Sequence, residues 1–121
     1  MRLEVSVERW PIAGRFTIAR GSRTEAVVVV ATIRAGEHVG RGECVPYARY
    51  GETVEGVAAE IETQWQLVEH GLDRAALQAQ VPAGAARNAL DCALWDLEAK
   101  RSGRRAWEAA GVPQPRPVTT A

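Results

Sequence analysis

The pattern of apolar and polar residues predicts three strands in the first part of the chain. Residues 3–8 alternate apolar and polar side chains, which is typical of a strand with one buried face, and the Trp-Pro pair at 10–11 should end it. Residues 25–34 are rich in β-branched side chains and predict a more buried central strand. After a turn at 35–37, residues 38–43 predict a return strand whose glycines indicate a close backbone approach or a bulge. We therefore expect a three-stranded antiparallel sheet.

A long segment, residues 13–24, separates the first two predicted strands. It holds two glycines and three arginines together with Phe16 and Ile18. The pattern predicts a long loop or a loose hairpin, and a loop of this length inside a compact domain is usually functional or disordered.

Helical spacing begins after this sheet. Thr53 is suited to cap a helix over residues 54–70 that Gly71 stops. Four side chains form its expected buried stripe: Val57, Ile61, Trp65 and Val68. Asp73 should cap a short helix over residues 74–78.

The best-specified helix covers residues 83–101, with Gly103 as its stop, and is followed by a short helix at 105–110. Five residues form its apolar face: Ala86, Leu90, Ala93, Leu94 and Leu97. Three prolines within residues 113–117 then exclude a helix and predict an extended linker, after which residues 117–120 resemble the start of a strand. The expected fold class is therefore α+β, a three-stranded antiparallel sheet followed by a helical bundle.

Charge and cysteine content narrow the function classes. The chain of 121 residues carries 15 basic and 15 acidic side chains, so it lacks the excess positive charge that binds nucleic acid or an anionic membrane, and we expect neither partner. Lys100 is the only lysine, so a mechanism that needs two lysine bases cannot be housed here. Cys44 and Cys92 have no CxxC spacing, which predicts buried thiols in a reducing compartment. Since no apolar run follows Met1, we expect a cytoplasmic protein.

No complete catalytic or metal-binding set emerges from the sequence. There is no GxSxG motif, and His38 and His70 are interpreted as structural or solvated. The acidic residues of the long helix do not have the spacing of a ligand set and are interpreted as ion-pair partners of nearby bases. These acids are Asp91, Asp96 and Glu98, and the bases are Arg87, Lys100 and Arg101. We therefore expect no catalytic residue and no metal ligand in this chain.

Two segments remain as candidates for recognition, residues 15–23 and residues 43–53. The second combines Tyr47 and Tyr50 with Arg49, a set that suits a small ligand with an apolar body and a carboxylate. The alternative is a surface loop whose tyrosines pack on the first helix.

Three segments carry a family resemblance: residues 42–53 (GECVPYARYGET), 82–97 (PAGAARNALDCALWDL) and 18–23 (IARGSR). The first two resemble the N-terminal capping domain of the enolase superfamily in its muconate-lactonizing branch. Together with the third, they are most similar to dipeptide epimerases of the L-Ala-D/L-Glu type, whose substrates belong to peptidoglycan peptide recycling. The resemblance extends over effectively the whole chain.

The resemblance implies a division of labour between two domains. In this family a barrel carries the chemistry: two lysines exchange an α-proton, and three carboxylates hold Mg²⁺, which stabilises the enolate. Residues 1–112 would be the capping domain, and residues 113–121 would be a linker and the start of the first barrel strand, with the barrel itself absent. Mg²⁺ would be a cofactor of the parent enzyme, bound by that barrel.

The resemblance also implies roles for individual residues. Arg23 matches the position that meets the glutamate side-chain carboxylate of the dipeptide, with Arg20 as the alternative, and Phe16, Ile18 and Tyr50 would line the pocket. The implied partners are a small dipeptide with an acidic residue, the barrel domain and further copies of the same protein.

Other interpretations stay open at the level of the sequence. The chain would otherwise be a stand-alone small-molecule-binding or scaffold module of the same fold, or the cap of a muconate cycloisomerase or an o-succinylbenzoate synthase. An isolated cap would expose the apolar face that a barrel covers, so we expect it to self-associate.

Overall fold

The computed structural model describes the backbone of residues 1–18 and 21–120 and the side chains of residues 1–14 and 24–120. Its described elements are, in chain order, β1 (Arg2–Ile18), β2 (Gly21–Ala35), β3 (His38–Cys44), α1 (Val54–Thr63), α2 (Trp65–Glu69), α3 (Arg74–Gln80), α4 (Ala85–Ser102) and α5 (Ala106–Ala109). The strands form one antiparallel sheet in the order β1-β2-β3. The predicted α+β class and the three-stranded antiparallel sheet are therefore confirmed.

The central strand β2 is buried on both faces. Three of its side chains face the helices and belong to the hydrophobic core: Val29, Ala31 and Ile33. On the opposite face, where Val28 and Val30 are also buried, Arg41 of β3 reaches across β2 to Glu8 of β1, with 2.6 Å between their side-chain atoms. The run of β-branched residues thus forms the most enclosed strand, as the sequence predicts.

Strand β1 does not end at the Trp-Pro pair, so that prediction is wrong. Pro11 pairs with Glu25, and the ladder resumes after an irregularity between Pro11 and Phe16. Because β1 is an edge strand, the missing N–H of proline can lie on its unpaired side and removes no bond from the sheet. Of the two predictions for residues 13–24, the hairpin agrees with the described backbone, since residues 16–18 pair with residues 21–23.

The glycines of β3 bring its backbone against α4. A Cβ atom on Gly40 would lie 2.1 Å from the carbonyl oxygen of Ala93, and one on Gly42 would lie 2.1 Å from that of Ala89. The β2–β3 register is continuous, so the glycines serve the predicted close approach and not a bulge. This contact fixes α4 directly on the sheet.

The outer edge of β3 is covered by side chains of α4. The Asp96 carboxylate accepts a hydrogen bond from the backbone N–H of Arg41 at 2.9 Å, and the Lys100 ammonium donates one to the carbonyl of Val39 at 2.8 Å. The ammonium also contacts Asp96 at 2.7 Å. The only lysine of the sequence therefore has a structural position.

The predicted helix 54–70 is broken into α1 and α2. At Gln64 the backbone N–H bonds to the carbonyl of Ile61, three residues back, which tightens the turn and redirects the chain. Val57, Ile61 and Val68 are buried as predicted, but the prediction for Trp65 is wrong, since it is 53% exposed. Trp65 is the first residue of α2, so the break between the helices takes its side chain out of line with the buried residues of α1.

The remaining helices agree with the sequence patterns. Thr53 and Asp73 cap α1 and α3 through their side-chain oxygens, and Gly103 ends α4 in the left-handed conformation at a φ of 67°. All five residues predicted for the apolar face of α4 are buried. Residues 112–120 have no regular secondary structure and are exposed, and their assignment as a linker and the start of a barrel strand stays a prediction.

Candidate functional site

The first candidate segment is the end of the β1–β2 hairpin. The side chains of Phe16, Ile18 and Arg23 lie outside the described residues, as does Arg20 entirely. The backbone register places Phe16 directly opposite Arg23 and Ile18 opposite Gly21. Two of the predicted binding residues are therefore neighbours across the hairpin, near the point where the chain reverses.

The second candidate segment, residues 43–53, connects β3 to α1, and residues 45–51 are its central part. A 3₁₀ turn over Ala48–Tyr50 closes it, with the N–H of Tyr50 bonded to the carbonyl of Tyr47 at 2.9 Å. The Tyr50 side chain is 77% exposed, and its ring centroid lies 5.6 Å from that of Tyr47. The two rings contact each other, and the Tyr50 ring is accessible to a ligand.

Glu52 joins this segment to α4, a role that the sequence analysis missed. Its two carboxylate oxygens accept hydrogen bonds from the N–H of Tyr47 at 2.9 Å and from the N–H of Ala85 at 2.8 Å. Only an indirect feature of the sequence pointed to this role of Glu52. Gly84 precedes α4 where a Ser, Thr, Asp or Asn cap is usual, so a cap had to come from elsewhere in the chain.

The acidic side chains of α4 have structural partners. Asp96 pairs with Lys100 as predicted, whereas Glu98 pairs with Arg74 at 2.7 Å, and not with a base of its own helix. Arg87, also predicted to form an ion pair, donates instead to the carbonyl of Val81 at 3.2 Å. Across residues 1–18 and 21–120 no group of three or more His, Cys, Asp or Glu could hold a metal ion.

Neither thiol has the properties of a nucleophile. Burial, reinforced by the charge of Glu52, raises the pKa of the Cys44 thiol to about 11. Partial burial also raises the pKa of Cys92, with a further contribution from Asp91, but Cys92 is exposed at the surface, so the prediction of a buried thiol is wrong for this residue. Both thiols are therefore protonated at neutral pH, and a thiol reacts as its thiolate.

Two segments lead away from a packed sheet and helix, one carrying arginine and apolar residues and the other an exposed tyrosine. In the described part of the chain, no helix is both long and apolar enough to cross a membrane.

The family model of the mandelate racemase / muconate lactonizing enzyme N-terminal domain matches residues 1–111. The chain belongs to this family. Because the match takes in β1 to α5, the whole described fold is that of the mandelate racemase / muconate lactonizing enzyme N-terminal domain, which agrees with the resemblance seen in the sequence.

Two curated relatives of this chain have names that describe enzymes acting on glutamate derivatives. L-Ala-D/L-Glu epimerase of Escherichia coli is 49% identical over 119 residues, which cover 98% of this chain and 37% of the relative. N-acetyl-D-glutamate racemase of a Pseudoalteromonas species is 42% identical over 79 residues, which cover 64% of this chain and 25% of the relative.

Solved structures of the family have the same fold. An enolase family member from Agrobacterium tumefaciens with homology to dipeptide epimerases, with sodium and L-Ala-L-Glu bound, is 57% identical with a TM-score of 0.87, over 93% of this chain and 35% of that one. A dipeptide epimerase from Enterococcus faecalis, complexed with Mg and L-Leu-L-Tyr, is 26% identical with a TM-score of 0.76. The match covers 89% of this chain and 33% of the epimerase. The chain thus spans about a third of these proteins.

Proposed function

We propose that this chain is the substrate-selecting N-terminal domain of a dipeptide epimerase of the L-Ala-D/L-Glu type. The observation that carries the proposal is the 49% identity to the Escherichia coli epimerase, because its 119 residues take in both candidate segments. The similar Agrobacterium tumefaciens structure, which holds L-Ala-L-Glu, supports the same substrate class.

In this proposal the chain contributes recognition and the rest of the enzyme contributes chemistry. Arg23 pairs with the side-chain carboxylate of the glutamyl residue, since a guanidinium and a carboxylate form two parallel hydrogen bonds. Phe16, Ile18 and Tyr50 enclose the apolar part of the dipeptide and keep water from that ion pair, which strengthens it. Residues 1–112 are the capping domain, and residues 113–121 lead into the catalytic domain.

The residues described here do not fit the Mg²⁺ that accompanies related epimerases, since they contain no cluster of ligands. We assign that ion to the catalytic domain, where it would stabilise the negative charge that develops when the α-proton leaves. This chain alone should not epimerise dipeptides, because its single lysine is bonded to Val39 and Asp96. A cytoplasmic location and a homo-oligomer remain predictions.

The test uses the complete protein encoded by the gene, with Mg²⁺ and L-Ala-L-Glu in D₂O. Epimerisation and α-proton exchange are followed by ¹H NMR. Arg23→Ala should lower kcat/KM on L-Ala-L-Glu by about a hundredfold, the cost of losing a charged hydrogen-bond pair. The matched control is Arg34→Ala, an exposed arginine paired with Glu4 at the end of β2 away from the hairpin, which should stay active. Equal kinetics for the Arg23 variant and the control would contradict the proposed role.

A second candidate function is racemisation of an N-acylated glutamate other than a dipeptide. The identity to N-acetyl-D-glutamate racemase favours it, because N-acetylglutamate and alanylglutamate share a glutamate with an acylated nitrogen. The two differ in the free ammonium of the dipeptide. A higher kcat/KM on N-acetyl-D-glutamate than on L-Ala-D-Glu would favour the second function.

A further inference from the structure

A single carboxylate ties the second candidate segment to the longest helix of the domain. We propose that Glu52 is a positioning residue for substrate binding, which holds the turn that carries Tyr50 through hydrogen bonds to main-chain amides. The inference rests on the proposed function, since it assigns a role within the same site.

Both bonds of Glu52 are made to main-chain donors. Oε2 accepts from the N–H of Tyr47 and Oε1 accepts from the N–H of Ala85, at 2.9 and 2.8 Å. Because both oxygens of one carboxylate are used, the separation between the segment and the helix is set by a rigid planar group. Hydrogen bonds to a charged acceptor are also stronger than those between neutral groups.

The start of α4 explains why the helix accepts this partner. Gly84 has no side chain to bond the first free N–H groups of the helix, and Glu52 supplies that cap from 33 residues earlier in the chain. The positive end of the helix dipole favours the negative carboxylate. A Cβ atom on Gly84 would lie 3.3 Å from Oε1 of Glu52, so the glycine leaves room for the incoming side chain.

In the described part of the chain, the segment has one further bond to α4, at its β3 end, where the Asn88 side-chain amide donates to the carbonyl of Glu43 at 3.4 Å. Among the described residues, the other hydrogen bonds of residues 45–51 stay inside the segment, from Tyr50 N–H to Tyr47 and from Gly51 N–H to Ala48, at 2.9 and 3.0 Å. The turn is therefore closed on itself, and the Glu52 bond to Tyr47 is what orients it relative to α4. Without that bond, the turn and the Tyr50 ring can shift together.

The kinetic test compares Glu52→Gln with Asp73→Asn in the complete protein. Glutamine keeps the size of Glu52, but its NH₂ group is a donor and cannot accept one of the two amide bonds. Asp73→Asn makes the same carboxylate-to-amide change at the cap of α3, where it removes the charge, but its amide oxygen can still accept the bond from the N–H of Ala76, which is 2.8 Å long in wild type. We expect Glu52→Gln to raise KM for the dipeptide about tenfold, the affinity lost with roughly one charged hydrogen bond, with kcat changed less than about twofold. Asp73→Asn should leave both constants unchanged.

The outcomes separate this inference from the proposed function. A wild-type protein that epimerises no dipeptide and racemises no N-acylated glutamate overturns the proposed function. An active wild type whose KM is the same as that of Glu52→Gln overturns the positioning role. An equal rise of KM in Asp73→Asn also overturns it, because the effect would then be one of general stability.

Amide hydrogen exchange supplies a readout that does not depend on activity. Glu52→Gln should accelerate exchange in residues 45–51 and at Ala85, whereas Asp73→Asn should accelerate exchange only in α3. Unchanged exchange in residues 45–51 would refute the inference. If Glu52→Gln does not fold, Glu52→Asp serves instead, since its side chain is one methylene shorter and cannot reach both amides, so it should raise KM in the same direction. A Glu52→Asp protein with wild-type KM would count against the role.

Discussion

The carboxylate of Asp96 accepts a hydrogen bond from the backbone N–H of Arg41 at 2.9 Å, which joins α4 to the free edge of the sheet. β3 is an edge strand, and an edge presents backbone groups that would otherwise pair with another chain. Asp96 and its partner Lys100 satisfy two of these groups. Asp96, which lies in the family segment 82–97, therefore has a structural role at the edge of the sheet.

Asp96→Ala should lower the free energy of unfolding by about 1–3 kcal/mol, because it leaves the Arg41 amide without its acceptor and the Lys100 ammonium without its carboxylate partner. Urea denaturation followed by circular dichroism measures the change. The control is Arg101→Ala, an exposed residue on the same helix, which should stay within about 0.5 kcal/mol of wild type. Similar losses in both variants would mean that the edge bonds contribute nothing specific.

Gly42→Ala should be destabilising by at least about 2–3 kcal/mol, because the new methyl group would overlap the Ala89 carbonyl and force β3 and α4 apart. Gly36→Ala is the comparison. Its Cβ would meet open space, and only its φ of 60° is unfavourable, so it should cost about 1 kcal/mol. Thermal unfolding of the two variants shows which of them is less stable. If the contact between β3 and α4 were loose, Gly36→Ala would be the less stable of the two.

Alkaline pH should destabilise the domain through Cys44. Its pKa is raised from 9.0 to about 11 in the folded state, so below pH 9.0 both states hold the proton. Between these values the unfolded chain ionises first, and stability falls by about 2–3 kcal/mol as pH rises.

Urea unfolding across this pH range, compared for wild type, Cys44→Ala and Cys92→Ala, isolates the Cys44 contribution. The fall should be smaller in the Cys44 variant and largely kept in the Cys92 variant, since Cys92 is exposed. An unchanged slope in Cys44→Ala would assign the effect to other groups.

Tyr50→Ala should weaken binding of the dipeptide without changing the stability of the domain. Its side chain is 77% exposed, so its removal should change the free energy of unfolding by less than about 0.5 kcal/mol while raising KM for the dipeptide in the complete protein. Trp65→Ala removes another partly exposed aromatic residue, on α2, and should leave KM unchanged. A KM that responds equally to both substitutions would argue against a specific place for Tyr50 in the pocket.

Periodic patterns predicted the fold well where they reflect burial. The β-branched run of β2 and the apolar face of α4 are buried as expected, because each period matches the geometry of its element. The caps at Thr53 and Asp73 were also predictable, since a cap bonds an amide only three residues away.

The errors share a non-local cause. Pro11 ends a central strand but not an edge strand, and the position of a strand in a sheet cannot be read from its own residues. The break at Gln64 removes Trp65 from a stripe that its spacing predicts. Glu52 contacts a residue 33 positions away, so no local pattern reports its role.

The candidate site was predictable only through the family resemblance. Residue types in 43–53 indicated a small ligand with an apolar body and a carboxylate, but they left a plain surface loop as an equal alternative. The assignment of Arg23, Phe16 and Ile18 depends on matching residues 18–23 and their surroundings to related enzymes, and their side chains lie outside the described residues.

Residues 26–31 of β2 combine valines with no charge and no proline, which is the composition of segments that form cross-β fibrils. In the folded domain, this stretch pairs with β1 on one side and β3 on the other, and α4 covers the outer edge of β3. Fibril growth would need that ladder to open. Detachment of α4 would uncover the edge of β3, and residues 26–31 would become available to another chain only when β1 or β3 also separates from β2.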